Sequence, residues 1–236
     1  MYRFLISIAL VFLAACEPVA LPNPAPDGVN TGPAQMRANL AARQFVKVVQ
    51  TVEPVAEREC RARTSGLNCD FQIVVDDRAD QPPNAFQTVD RFGRPIIAFN
   101  VALINSAKNA DELAFVMGHE ASHHIMDHLA KTRESATMGA VVFAGIMAIS
   151  GAEADAVRSA EQLGAAVGAR TFSKEFELEA DQLGTIITYR AGFDPVRGSA
   201  FFARIPDPGD RFLGSHPPNA ARVQIVRETA AALETD

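Results

Sequence analysis

Residues 118–123 read Gly118-His119-Glu120-Ala121-Ser122-His123, an H-E-x-x-H run inside a segment, 110–130, that carries the signals of one helix. Asn109 followed by Glu112 forms a capping box at its start. An α-helix turns once in about 3.6 residues, so His119 and His123 share a face and can each offer an imidazole to one Zn2+. Glu120 stands beside the first of them. From there it can take a proton from a zinc-activated water attacking a peptide carbonyl, and pass it to the leaving amine. This helix decides the reading, because a two-histidine zinc needs a third protein donor and a fold that brings one to it.

His124 and His128 are also four apart. They lack an acid in the position that Glu120 holds, and they are expected beside the site or on the surface, with a second, weaker metal site as the alternative. For the third donor, the segment 172–190 offers two acidic pairs, Glu177 with Asp181 and Glu175 with Glu179. The Glu177 stripe includes Ala180 and Gly184, whose small size permits a close helix crossing, whereas the Glu175 stripe includes Gln182 and reads as solvated. Glu177 is therefore the better ligand. Asp181, one turn on, can accept the outer ring N–H of a ligand histidine. On these residues alone, a plain polar helix face fits equally well.

The chain has 236 residues and a formal charge of −6. No basic patch stands out, which excludes nucleic acid as the expected partner. The start, MYRFLISIALVFLAAC, has a basic residue at Arg3, an apolar run and small residues before Cys16. It reads as a secretory signal too short to span a bilayer. Leu13-Ala14-Ala15-Cys16 resembles the bacterial lipobox, which implies lipidation at Cys16 and cleavage before it. Glu17, rather than Asp, follows and points to the outer membrane. Residues 17–33 contain five prolines and suit an extended tether. In an oxidising compartment Cys60 and Cys69 are expected to form a disulfide.

Helical periodicity covers 34–63, with Pro54 expected to kink or end the helix. Phe71–Val75 reads as a strand, and 84–89 with 95–99 reads as a hairpin around Asp90-Arg91-Phe92-Gly93. Residues 135–152 carry no charge. They are expected as a buried helix or as a helical hairpin with 155–168, in preference to a membrane segment. A helix over 172–190, a short one from Asp194-Pro195, a loop at 205–218 and a last helix from Asn219 to about Leu233 complete the pattern.

H-E-x-x-H followed some 50 residues later by Glu177-Leu178-Glu179-Ala180-Asp181 resembles the peptidase family of HtpX and the CAAX prenyl protease. The resemblance extends to Asn84-Ala85-Phe86, to Asp111–Val116, to His128, and to Ser215-His216-Pro217 with Arg222 on the helix behind. It implies a zincin-like α+β fold, mainly helical with a small mixed β-sheet. It also implies Glu177 as the third ligand to one Zn2+ per chain, and His216 near the metal as a catalytic candidate. Lys174 stands where the family often has Arg, and the several membrane helices of HtpX have no convincing counterpart.

The expected layout is a lipoprotein signal peptide at 1–15, a lipidated Cys16 with its tether at 16–33, and a zinc metallopeptidase domain at 34–236. The expected protein is a zinc metalloendopeptidase acting on polypeptides. Its lipid anchor would hold it in a bacterial cell envelope, facing the periplasm. A zinc-holding binding or chaperone-like lipoprotein without turnover is the alternative.

Overall fold

The computed structural model describes residues 32–204 and 217–235. The signal sequence, Cys16 and His216 lie outside them.

Helix α1, Pro33–Arg63, starts with Pro at its first turn and places basic Arg61 and Arg63 in its last. It runs unbroken through Pro54. Gln50, whose carbonyl loses its helical partner there, is exposed along with Pro54, so water can satisfy the freed group. Phe45, Val48, Val52, Val55 and Ala56 form the buried stripe, while Met36 and Leu40 face solvent. Cys60 at the end of α1 is disulfide-bonded to Cys69.

Three strands follow: β1, Gln72–Asp76; β2, Ala85–Val89; and β3, Pro95–Asn100. The sheet is mixed, in the order β1-β3-β2, with Gln72 opposite Ile96 in the parallel pair and Ala85 opposite Phe99 in the antiparallel hairpin. β3 is central and carries buried Ile97, Ala98 and Phe99. Phe99 meets Phe45 of α1 with ring centroids 5.0 Å apart. Asn100 caps the short helix α2, Val101–Ser106, by accepting from the Leu103 N–H at 2.8 Å.

Helix α3, Ala110–Ile125, runs through the core and buries Leu113, Ala114, Met117, Ala121 and Ile125. Asn109 accepts from the Glu112 N–H at 3.0 Å, and Glu112 reaches back to the Lys108 N–H at 2.8 Å. The helix does not continue to 130. It stops at Ile125, Asp127 adopts the left-handed conformation (φ 56°, ψ 35°), and α4, His128–Ile149, begins on a new axis.

α4 pairs with α5, Ala154–Thr171, as a helical hairpin. Gly139, Gly164 and Gly168 form the seam; a Cβ on any of them would run into the facing backbone. The uncharged stretch is thus half of a hairpin and not a buried helix: Met138, Val142, Ile146 and Ile149 remain exposed. Among the described residues no helix is long and apolar enough to cross a membrane.

α6, Ser173–Arg190, returns across α3 and buries Leu183 and Ile187 in the same core. α7, Pro195–Ser199, is capped by Asp194, and a 3-10 turn spans Phe202–Arg204. α8, Asn219–Leu233, closes the domain over Phe115 and Phe202 through Val226. Its cap position is Pro218, while the Asn219 side chain donates to the Phe202 carbonyl at 2.9 Å.

Candidate metal centre

The crossing of α3 and α6 builds the centre. Gly118 and Gly184 face each other there. A Cβ on Gly184 would lie 2.8 Å from the His119 backbone nitrogen, and one on Gly118 would lie 2.8 Å from the Gly184 carbonyl oxygen. With both Cβ atoms absent, the Glu177–Asp181 turn of α6 reaches the histidine face of α3. Gly184→Ala is expected to part the helices, costing about 1–3 kcal/mol and weakening metal binding. Gly145→Ala is the control, since nothing lies within 4 Å of its added methyl. Thermal unfolding and zinc titration of the two variants check this.

His119 Nε2 and His123 Nε2 are 3.1 Å apart. Glu177 places Oε2 at 3.6 Å from His119 Nε2 and Oε1 at 3.4 Å from His123 Nε2. Among the described residues these three form the group able to hold a metal, with ligand atoms all within 4.8 Å of one another. A tetrahedral zinc with bonds of about 2.0–2.1 Å wants donors ~3.3 Å apart, which this set matches. Two imidazoles and one carboxylate are also zinc's preferred chemistry, and three donors leave one position for water or substrate.

Each histidine has its own bracing. Asp181, fully buried, accepts from His119 Nδ1 at 2.9 Å. Arg222 of α8 in turn grips Asp181 with two bonds of 2.7 Å and stacks over the Phe202 ring at 3.7 Å. Burial works against the charge of Arg222, but Asp181 and Glu177 more than offset that and raise its pKa. Arg222 also lies 3.5 Å from Glu177 Oε2, so one cation steadies both acids.

On the other side, His123 Nδ1 meets His128 Nδ1 at 2.9 Å, and His128 Nε2 meets Glu179 Oε2 at 3.0 Å. His128 is buried, and burial outweighs Glu179 to bring its pKa down to about 4. His123 is half-buried, which works against its charge, yet the Glu177 carboxylate holds its pKa above the usual imidazole value.

Of His124 and His128, expected beside the site or on the surface, His128 does stand beside it, while His124 is buried away from it. They turn to opposite sides. His124 donates from Nε2 to the Asn68 carbonyl at 2.7 Å and sits edge-on to Phe71. This ties the disulfide loop to α3, and burial lowers the pKa of His124. Glu179 is not merely solvated either, since it holds His128. The family resemblance singled out His128, but helical spacing did not: residues five apart on one helix lie about 140° apart, and the left-handed turn at Asp127 brings its ring back to His123.

The donors open into a cleft of about 830 Å3. Glu120 lies on its wall beside His119, His123 and Glu177. The Asn84–Gln87 segment borders the cleft, and β2 is an outer strand of the sheet among the described residues. Phe115, Phe176, Phe201 and Phe202 give the cleft an apolar floor. Its rim is fixed by Arg204, which forms paired bonds of 2.6 and 2.5 Å to buried Glu112.

Comparison with known proteins bears on this centre. A sequence model of peptidase family M48 matches residues 42–230. Over 147 residues the chain is 28% identical to the beta-barrel assembly-enhancing protease of Escherichia coli, covering 57% of this chain and 30% of that protein. The corresponding protein of Yersinia pestis is 29% identical over 182 residues, 68% of this chain and 34% of its own length. The mitochondrial metalloendopeptidase OMA1 of Arabidopsis thaliana is 26% identical over 141 residues, 56% of this chain and 27% of its own. The chain thus spans roughly a third or less of the length of these curated relatives.

Proposed function

Because the chain belongs to peptidase family M48, we propose that it is a zinc-dependent metalloendopeptidase that hydrolyses internal bonds of polypeptides. The observation that carries this is the convergence of His119, His123 and Glu177 on one point of an open cleft, with Glu120 on the wall. The zinc, when bound, supplies a Lewis acid that acidifies water and polarises a carbonyl. Glu120 takes the proton from the attacking water and returns it to the departing amine. Asp181 holds the His119 Nδ1 proton and so keeps Nε2 free to donate its lone pair. Arg222 neutralises Asp181 and keeps it in position. The apolar floor and the outer strand β2 receive an extended segment of substrate, the strand by backbone pairing.

A non-catalytic zinc module is the poorer reading. A structural zinc is closed by four protein ligands, whereas three donors among the described residues, beside a general base and an open cleft, suit turnover. Two relatives are named for beta-barrel assembly, which favours envelope proteins, including misfolded ones, as substrates. Lipidation at Cys16 would hold the domain at a membrane, facing the periplasm and, with Glu17 next, at the outer membrane. His216 would stand near the zinc as a further catalytic candidate.

The test is metal removal. The full chain, stripped by a chelator, is expected to stop cleaving an unfolded polypeptide. It should recover on addition of one equivalent of zinc, and metal content and fragment yield are measured together. Cleavage that persists in the stripped protein would end this reading.

A further inference from the structure

His119 Nδ1 meets the Asp181 carboxylate, whereas His123 Nδ1 meets a second histidine, His128. We infer that His128 and Glu179 together are positioning residues for His123, a two-step relay that fixes which nitrogen of that ring is free to hold metal. This rests on the zinc reading above.

Proton counting on the ring nitrogens carries the argument. Glu179 Oε2, as a carboxylate oxygen, only accepts, so His128 Nε2 at 3.0 Å carries the proton. In a neutral ring the other nitrogen, Nδ1, is then an acceptor. It faces His123 Nδ1 at 2.9 Å, and a bond of that length needs one proton between the two, supplied by His123. His123 Nε2 is left with its lone pair, and it is this atom that lies 3.1 Å from His119 Nε2 and 3.4 Å from Glu177. The ring of His128 is held in its plane by Phe176, stacked at 4.6 Å with 14° between the planes. The backbone contributes the left-handed residue Asp127, without which His128 would face away. Glu179 remains 44% exposed on its side chain, while the His128 ring is buried and the His123 ring half-buried.

The test uses the full chain and zinc itself, with affinity measured by competition against a chelating indicator. His128→Phe keeps a ring to stack on Phe176 but offers no nitrogen. It is expected to weaken zinc binding about 10- to 100-fold and to abolish the His123 Nδ1–H signal in the nitrogen-15 spectrum of the zinc form. His128→Asn, which restores an acceptor near the Nδ1 position, is expected to regain most of that affinity. Glu179→Gln, which still accepts from His128 but lacks the charge, is expected to fall in between. Wild-type affinity in His128→Phe, or equal losses in the Phe and Asn variants, would overturn the relay and leave the zinc reading standing. Absence of zinc binding by the wild type would overturn both.

Discussion

Glu120→Gln is expected to retain one zinc and to lose about 10²- to 10⁴-fold in turnover. Gln has the shape of Glu and can still hydrogen-bond water, but it cannot accept a proton. Glu120 is outside the donor group formed by His119, His123 and Glu177, so metal affinity has no reason to follow. The loss belongs in kcat with KM nearly unchanged, because the proton moves only on the way to the transition state. Steady-state cleavage of an unfolded polypeptide, with zinc content measured on the same samples, checks this. Equal turnover in variant and wild type would remove Glu120 from the chemistry.

Arg222→Met carries the largest expected effect on stability. Asp181 has no exposed surface, and Arg222 supplies two of its bonds. Taking away one partner of a buried pair leaves the other charge uncompensated, a loss of about 3–5 kcal/mol. For a domain of this size that lowers Tm by roughly 6–20 °C. Removing both charges, as in Asp181→Leu with Arg222→Met, is expected to recover much of the stability, since a buried ion pair and an apolar pair of similar volume are often equivalent. The double variant still lacks an acceptor for His119 Nδ1, so its zinc affinity is expected to stay about 10- to 100-fold weak. Calorimetry and zinc competition on both variants separate the two effects. A double variant that binds zinc like the wild type would show that Asp181 supports the fold and not the ligand.

The legible part of the sequence was the part written in helical spacing. His119 and His123 are four apart on one face of one helix, so local periodicity speaks for them; Glu177 and Asp181 share that spacing, but a plain polar face fitted them equally well and the family resemblance decided. The strands were legible from a different local pattern, short apolar runs set off by a turn: β3 is a nearly continuous buried run because it is central, and Asp90–Gly93 marks its hairpin. What was not legible depends on chain direction between elements. The left-handed turn at Asp127 is a single dihedral choice, yet it separates α3 from α4 and decides that His128 faces His123. The uncharged run 135–152 left a buried helix and a hairpin both open because small residues serve two purposes. Here Gly139 permits a close crossing with α5, while the larger apolar side chains of α4 face outward. Pro54 shows the reverse: a residue that usually breaks a helix is accommodated where its orphaned carbonyl meets water.

The stacked rings of His128 and Phe176 also stand where the chain leaves the body and where it comes back. Residues 129–172, between them, pack mainly on one another. Topologically the hairpin is an insertion with its two ends clamped, and the clamp belongs to the metal centre. Leu129 and Thr132 at its base still line the cleft, but changes farther out along the hairpin alter what the domain presents to its surroundings without touching the ligands. This gives the scaffold a place to diversify that is insulated from its chemistry.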